Sequence, residues 1–265
     1  MDILRKELNE IYLSQHLELE TLDQKILDSC RTIVSNSVIA DNACRVITDA
    51  SSDTCFIYGG KFAHLLGLTH DEAGVFENGN VFFKSIESSD EDDIYNLIHP
   101  EDLVDKRMLE YEFFKFVDVQ PVESKCNFKA TCRIRFKCFS DRYLYVNNTT
   151  KVFRLSPHGK IWLILCSYEL SPDQESGEGI SPKIINEATG EIMSLSFSNK
   201  RSEILSEREK EILILIRDGK LSKQIAAILG ISINTVNRHR QNIIEKLCVS
   251  NSTEAVFAAS SMKLI

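Results

Sequence analysis

Between Leu205 and Leu247 the chain carries a series of helix start and stop signals whose spacing admits few folds. Ser206-Glu207-Arg208-Glu209 is a capping box, in which the serine oxygen takes a free N–H of the first turn and the glutamate reaches back to the N–H of the cap residue. The spacing predicts a helix from there through Ile212, Leu213, Leu215 and Ile216, stopped by Asp218-Gly219. Ser222 caps a second helix, Lys223 to Leu229, and Gly230 supplies the left-handed backbone that turns the chain sharply. Ser232 then caps a third helix, Ile233 to Leu247. Small Ala226 stands where two helices must approach, and Val236 faces back into the same core.

The third helix has two faces. Val236, Ile243 and Leu247 recur at helical spacing and belong to the core, while Asn234, Asn237, Arg238 and Gln241 point the other way. These outward groups are the ones that read base edges in a major groove, arginine on guanine and asparagine or glutamine on adenine, each through two hydrogen bonds. Lys220, Lys223, Ser232, Thr235, Arg240 and Lys246 stand close enough in sequence to bond phosphates. The charge is distributed to match. Residues 200–265 hold 11 Lys+Arg against 7 Asp+Glu, and the remainder holds 20 against 32. A basic module joined to an acidic one points to a polyanion approached by the C-terminal part alone.

These residues resemble the LuxR-type helix-turn-helix family from Leu205 to Ala259. The matching pieces are Leu205-Ser206-Glu207-Arg208-Glu209, Gly219, Lys223-Gln224-Ile225-Ala226, Leu229-Gly230-Ile231-Ser232, Thr235-Val236, His239, Lys246-Leu247-Cys248-Val249 and Thr253-Glu254-Ala255. The resemblance implies base and backbone contacts for Thr235, Asn237, Arg238 and Gln241. It also implies a fourth helix, Thr253 to Met262, that dimerises through Thr253, Ala255, Val256 and Ala259. Gln224 and Cys248 depart from the family pattern, where an acidic residue and a glycine are common.

Upstream the pattern changes from helical to alternating. Residues 3–13 and 20–38 have helix-spaced apolar positions, among them Leu4, Leu8, Ile11, Leu22, Ile26 and Ile33. Cys44 to Thr48 and Cys55 to Tyr58 read as a β-hairpin, followed by a short helix from Lys61 to Gly67 and a longer one from Glu101 to Val117 after His99-Pro100. In Asn127 to Phe139, apolar Phe128, Ala130, Cys132, Ile134, Phe136 and Cys138 alternate with polar residues, the mark of a strand with one wet face. Tyr143 to Phe153 and Lys160 to Leu170 add two strands, the second nearly continuously apolar, with Trp162 in it, and hence central. The expectation is a five-stranded antiparallel sheet with helices inserted between its second and third strands.

Phe56-Ile57-Tyr58-Gly59, Leu65-Leu66-Gly67, Ile98-His99-Pro100-Glu101-Asp102, Arg133-Ile134-Arg135 and Gly159-Lys160 resemble a PAS sensor domain over residues 40–170. That resemblance implies a small α/β sensor that binds a ligand or serves only to dimerise. The acidic insert from Gly74 to Asp93 reads as a solvated loop or a lid. Ser171 to Pro182, rich in Ser, Gly, Pro and acidic residues, reads as a linker, and Lys183–Ile185 with Glu191–Leu195 around Thr189-Gly190 as a small hairpin. The division is therefore a helical leader (1–39), a PAS-like sensor (40–170), a linker with a hairpin (171–199) and a helix-turn-helix domain (200–265). The fold class is α+β.

Eight scattered cysteines without a C-x-x-C pair, and a start without an apolar signal core, fit reduced thiols in a cytoplasmic protein. No apolar run reaches the ~18 residues that span a bilayer. Cys126, Cys132 and Cys138 share a strand face but are too far apart to hold one metal, and no metal or cofactor is expected. His239 reads as a hydrogen-bonded structural histidine and His99 as a turn residue. His64 on the short helix is the one candidate contact for an unidentified small ligand, against the plainer reading of a core or surface histidine. The chain lacks G-x-x-x-x-G-K, G-x-S-x-G and H-E-x-x-H, and residues 1–170 do not supply the acidic strand ends of a phosphoryl-accepting receiver. The sequence therefore reads as a non-enzymatic regulator that binds double-stranded DNA as a homodimer. The alternative is an interaction module whose sensor binds a protein partner and no small ligand.

Overall fold

The computed structural model describes residues 17, 22–68, 74–77, 81–87, 92–138, 140, 142–177, 179–197, 205–247, 249, 251–261 and 264–265. The expected helix at 3–13, most of the acidic run after Glu87, and Cys248 lie outside them. A long helix α1 (Gln24–Asp41) opens the described fold. It leads into the hairpin β1 (Cys44–Asp49) and β2 (Thr54–Gly59), paired antiparallel with Val46 opposite Ile57. Next come α2 (Lys61–Leu65), β3 (Val75–Glu77), β4 (Val81–Ile86), α3 (Asp92–Tyr95) and α4 (Pro100–Asp118). Then follow β5 (Phe128–Lys137), β6 (Tyr143–Leu155), β7 (Ile161–Leu170), β8 (Lys183–Asn186) and β9 (Ile192–Ser194).

The nine strands of the described residues form one antiparallel sheet in the order β3-β4-β2-β1-β7-β6-β5-β8-β9. The five expected strands are its contiguous centre, and β7 lies in the middle. The expected count of five is corrected to nine because both edges of that centre are extended. β4 pairs with β2 from Cys55 to Gly59, and β8 pairs with β5 from Phe128 to Thr131, so backbone groups that would face solvent are bonded. The residues after β7 are also strapped to the sheet. Gln174 accepts a 2.9 Å bond from the Tyr145 N–H and donates a 2.8 Å bond to the Tyr145 carbonyl, while Arg133 pairs with Asp173.

Alternation sorts the side chains to the two faces. On one face Ile47, Tyr58, Trp162 and Leu163 meet Leu27, Cys30, Val34 and Val38 of α1. Arg31 fastens this helix, its Nε donating to the Tyr58 hydroxyl at 2.9 Å and its guanidinium lying 4.4 Å from the centre of the Phe56 ring. Trp162 is buried, and its indole N–H donates to Asp49 at 3.1 Å. The other face carries Val46, Ile57, Ile134, Val146 and Ile164 against Leu109, Phe113, Phe114 and Val117 of α4.

Helix α4 starts where the sequence places it. His99 is its cap residue, accepting a 3.3 Å bond from the Glu101 N–H, and Pro100 sits in the first turn where its missing N–H costs nothing. Asp102 turns toward β5 and takes the Arg135 backbone N–H at 2.7 Å and the Arg135 Nε at 3.0 Å, with Glu101 on the same guanidinium. The His-Pro-Glu-Asp element thus locks the helix start to the sheet. Further along, Lys106 and Glu110 are buried as an ion pair, and the Tyr95 hydroxyl donates to the Glu110 carboxylate at 2.9 Å. Burial pushes the neighbouring Cys132 thiol up to about 12, which keeps it protonated and inert. No helix of the described residues is long and apolar enough to cross a membrane.

Candidate nucleic-acid interface

Four helices make the C-terminal domain: α5 (Glu207–Arg217), α6 (Ser222–Leu229), α7 (Ile233–Leu247) and α8 (Ser252–Ser261). The capping box forms as the sequence predicts, with the Ser206 Oγ accepting from the Glu209 N–H and Glu209 accepting from the Ser206 N–H at 2.8 Å. The second helix differs by one residue. Leu221 is its cap position, Ser222 its first residue, and the Gln224 side chain accepts the Leu221 N–H at 2.9 Å. Gly230 follows at φ 66°, the left-handed region, and a Cβ added there meets nothing within 4 Å. Its glycine is thus required by backbone conformation and not by space.

Helix α7 is divided as expected. Val236, Ile243 and Leu247 are buried, and Asn234, Asn237, Arg238 and Gln241 are exposed. The four exposed residues fall at i, i+3, i+4 and i+7, one stripe along the helix. The Gln241 side chain donates to Glu245 at 3.0 Å. At the start of the helix the Ser232 Oγ accepts the Thr235 N–H at 3.0 Å and lies 2.8 Å from the Thr235 hydroxyl. Lys220 and Lys223 are exposed beside the α6 N-terminus, whose free N–H groups favour an anion.

Two expected phosphate contacts have internal partners. Arg240 donates to Ser222 at 2.9 Å and to Ser252 at 3.0 and 3.2 Å, so it ties α7 to the first residues of α6 and α8. Lys246 donates to Glu209 at 2.7 Å. Glu209 is buried; burial alone would raise its pKa, but the bonds from Lys246 and Ser206 outweigh that and hold it below the ordinary carboxylate value. Both cations brace the domain in the free chain.

The fourth helix also departs from expectation. Ala255 and Ala259 are fully buried within the chain, Val256 is half-buried, and Thr253 is exposed. The open face of α8 instead carries Phe257, 58% exposed, which sequence reasoning missed because an exposed aromatic and a buried one look alike in a short alanine-rich helix. The histidine readings change in detail. His239 is half-buried, and its Nδ1 is buried with no hydrogen-bond partner among the described residues. His64 is exposed, because α2 turns Phe62, Ala63 and Leu66 inward and leaves His64 on the outer side. The neighbouring cleft, about 320 Å³, is lined by Ile57, Leu66, Gly67, Leu68, Phe82, Lys84, Asn96 and Leu97 and not by His64.

Comparison with known proteins agrees with this domain. The sequence profile of "Bacterial regulatory proteins, luxR family" matches residues 203–259. The transcriptional regulatory protein LiaR of Bacillus subtilis (strain 168) is 40% identical over 88 residues, 32% of this chain and 42% of LiaR. The transcriptional activator protein CarR of Pectobacterium carotovorum subsp. carotovorum is 42% identical over 66 residues, 25% of this chain and 27% of CarR. The chain thus spans less than half the length of these relatives. Among solved structures, the phage VqmA–DPO complex overlays 88% of this chain and 89% of its own at 17% identity, with a TM-score of 0.27, too low to bear on the fold. Residues 203–259 of this chain therefore match the luxR family of bacterial regulatory proteins, and the four helices that hold the Asn234–Gln241 stripe fall within or adjoin that match.

Proposed function

We propose that this chain is a sequence-specific, DNA-binding transcriptional regulator whose N-terminal PAS-like domain senses a signal. The observation that carries the reading is the stripe Asn234, Asn237, Arg238 and Gln241, exposed on the helix whose opposite side is buried as Val236, Ile243 and Leu247. In this reading α7 enters the major groove of double-stranded DNA, with Arg238 on guanine and the three amides on adenine. Lys220, Lys223, Ser232, Thr235 and the α6 N-terminus hold phosphates, and Arg240 and Lys246 position the reading helix from inside. Two copies pair through the open side of α8, around Thr253 and Phe257, and address half-sites about one helical turn apart. The cleft beside Lys84 and Asn96 has the volume for a small organic ligand. No step of this function requires chemistry on a substrate.

The test is selection of bound sequences from a random duplex pool by the full chain at two salt concentrations. Enrichment of a two-fold symmetric site is the expected result. Retention of every sequence alike, lost steeply as salt rises, would leave a phosphate binder without sequence specificity and overturn the reading.

A further inference from the structure

Helix α4 is buried in an unusual way. A helix lying on a sheet has one buried stripe, yet every residue of α4 from Val104 to Glu110 is buried, none more than 6% exposed. Lys106 and Glu110 form its inner side, and the sheet carries the buried thiols of Cys132 and Cys166, bonded to Asn148 and Thr150, as a polar patch in an otherwise apolar face. At about 100° of turn per residue, Val104 and Met108 stand on the opposite side of the helix. They are buried too.

Beyond the sensor, α4 touches α8 of the C-terminal domain. Ala255, Ala258 and Ala259 of α8 are fully buried, and such small side chains let helix axes come close. The apolar core runs without a break from the sheet through α4 into α5, α7 and α8, and the residues flanking 198–204, Phe197 and Leu205, are both buried in it. From α8 the connection continues to the reading helix, because Ser252, the first residue of α8, accepts bonds from Arg240 of α7.

We propose that α4 is a transmitting helix. Its bonds to neighbouring elements, Asp102 accepting from Arg135 of β5 and Glu110 accepting from the Tyr95 hydroxyl, set its register on the sensor sheet, and its Val104–Met108 side seats α8 and so fixes where the reading helix stands. Lys106 and Glu110 travel together on the helix, so a displaced α4 keeps that pair but breaks the bonds to Arg135 and Tyr95 and leaves buried Asp102 and Glu110 short of donors. A signal that moves α4 therefore shifts α8, and through Ser252 and Arg240 shifts α7. The contact itself holds whether or not the chain reads DNA; its regulatory consequence rests on the function proposed above.

Hydrogen exchange on the full chain, without DNA, tests it. Met108→Lys puts a charge in the seat, and amides 252–261 are expected to exchange about tenfold faster or more, while β6 and β7 keep wild-type protection. Tyr95→Phe removes the bond from a neighbouring element to Glu110 without changing the packed volume much, and is expected to speed exchange in the same segment. If Met108→Lys loses protection in the sheet as well, Ala258→Gln, which leaves the sensor sequence intact, is read at amides 104–110 for the same acceleration. Unchanged exchange at the seat in a folded Met108→Lys chain, or in Ala258→Gln, overturns the proposal. Selection from the duplex pool is unaffected by that outcome, so the two readings fail separately.

Discussion

Lys246, one residue from the end of α7, donates a 2.7 Å hydrogen bond to Glu209, the glutamate that caps the first helix of the same domain. A single carboxylate therefore serves as a capping group for α5 and as the anchor of α7. Lys246→Met leaves Glu209 buried with only Ser206 as partner, and the C-terminal domain is expected to lose about 1–3 kcal/mol in urea unfolding. The selected base sequence should not change. A uniform loss of DNA affinity at unchanged stability would instead make Lys246 a phosphate contact.

The same bond sets a pH dependence. Glu209 titrates below its ordinary value of 4.5 in the folded chain, so its contribution is complete above that pH and is lost as pH falls through the lower folded value. Asp41, held down by Arg45, and Glu187, held down by Lys151 and Lys129, act in the same direction around the sheet. Unfolding curves of wild type and Glu209→Gln between pH 3 and 7 separate the terms. The variant is expected to show a shallower acid limb, and parallel curves would remove Glu209 from the account.

Arg238 stands alone among the exposed stripe in carrying a full charge. Its replacement by alanine should weaken binding to the selected site by about 1–3 kcal/mol and relax preference at one base position. Equal weakening on every sequence, with a reduced salt slope, would reassign it to a phosphate.

Phe257 tests the pairing of two chains. Phe257→Lys removes an exposed aromatic without touching the core, so the melting temperature should hold while sedimentation shifts toward monomer and affinity for the symmetric site falls. Dimers of undiminished stability would move the interface elsewhere.

What was legible in the sequence was whatever repeats locally. Period-two alternation marks β5, and Ser206, Gly219 and Gly230 mark helix ends within a residue, because caps and left-handed turns depend on groups three or four positions apart. β3 and β4 were not legible: Val81-Phe82-Phe83 has no alternation, and its partner across the sheet is β2. The roles of Arg240 and Lys246 were hidden for a related reason, since Ser252 and Glu209 lie 12 and 37 positions away. Lys106 and Glu110 carry no sequence signal of burial: an i,i+4 pair of opposite charges normally marks a wet face, and only the packing of α4 against the sheet reverses that.

Phe197 and Leu205 are both held in the core, so the C-terminal helices are fastened to the rest of the chain where it enters them as well as at the contact of α4 with α8. A body fastened at one point can swivel in every direction; fastened at two, it can only hinge about the line that joins them.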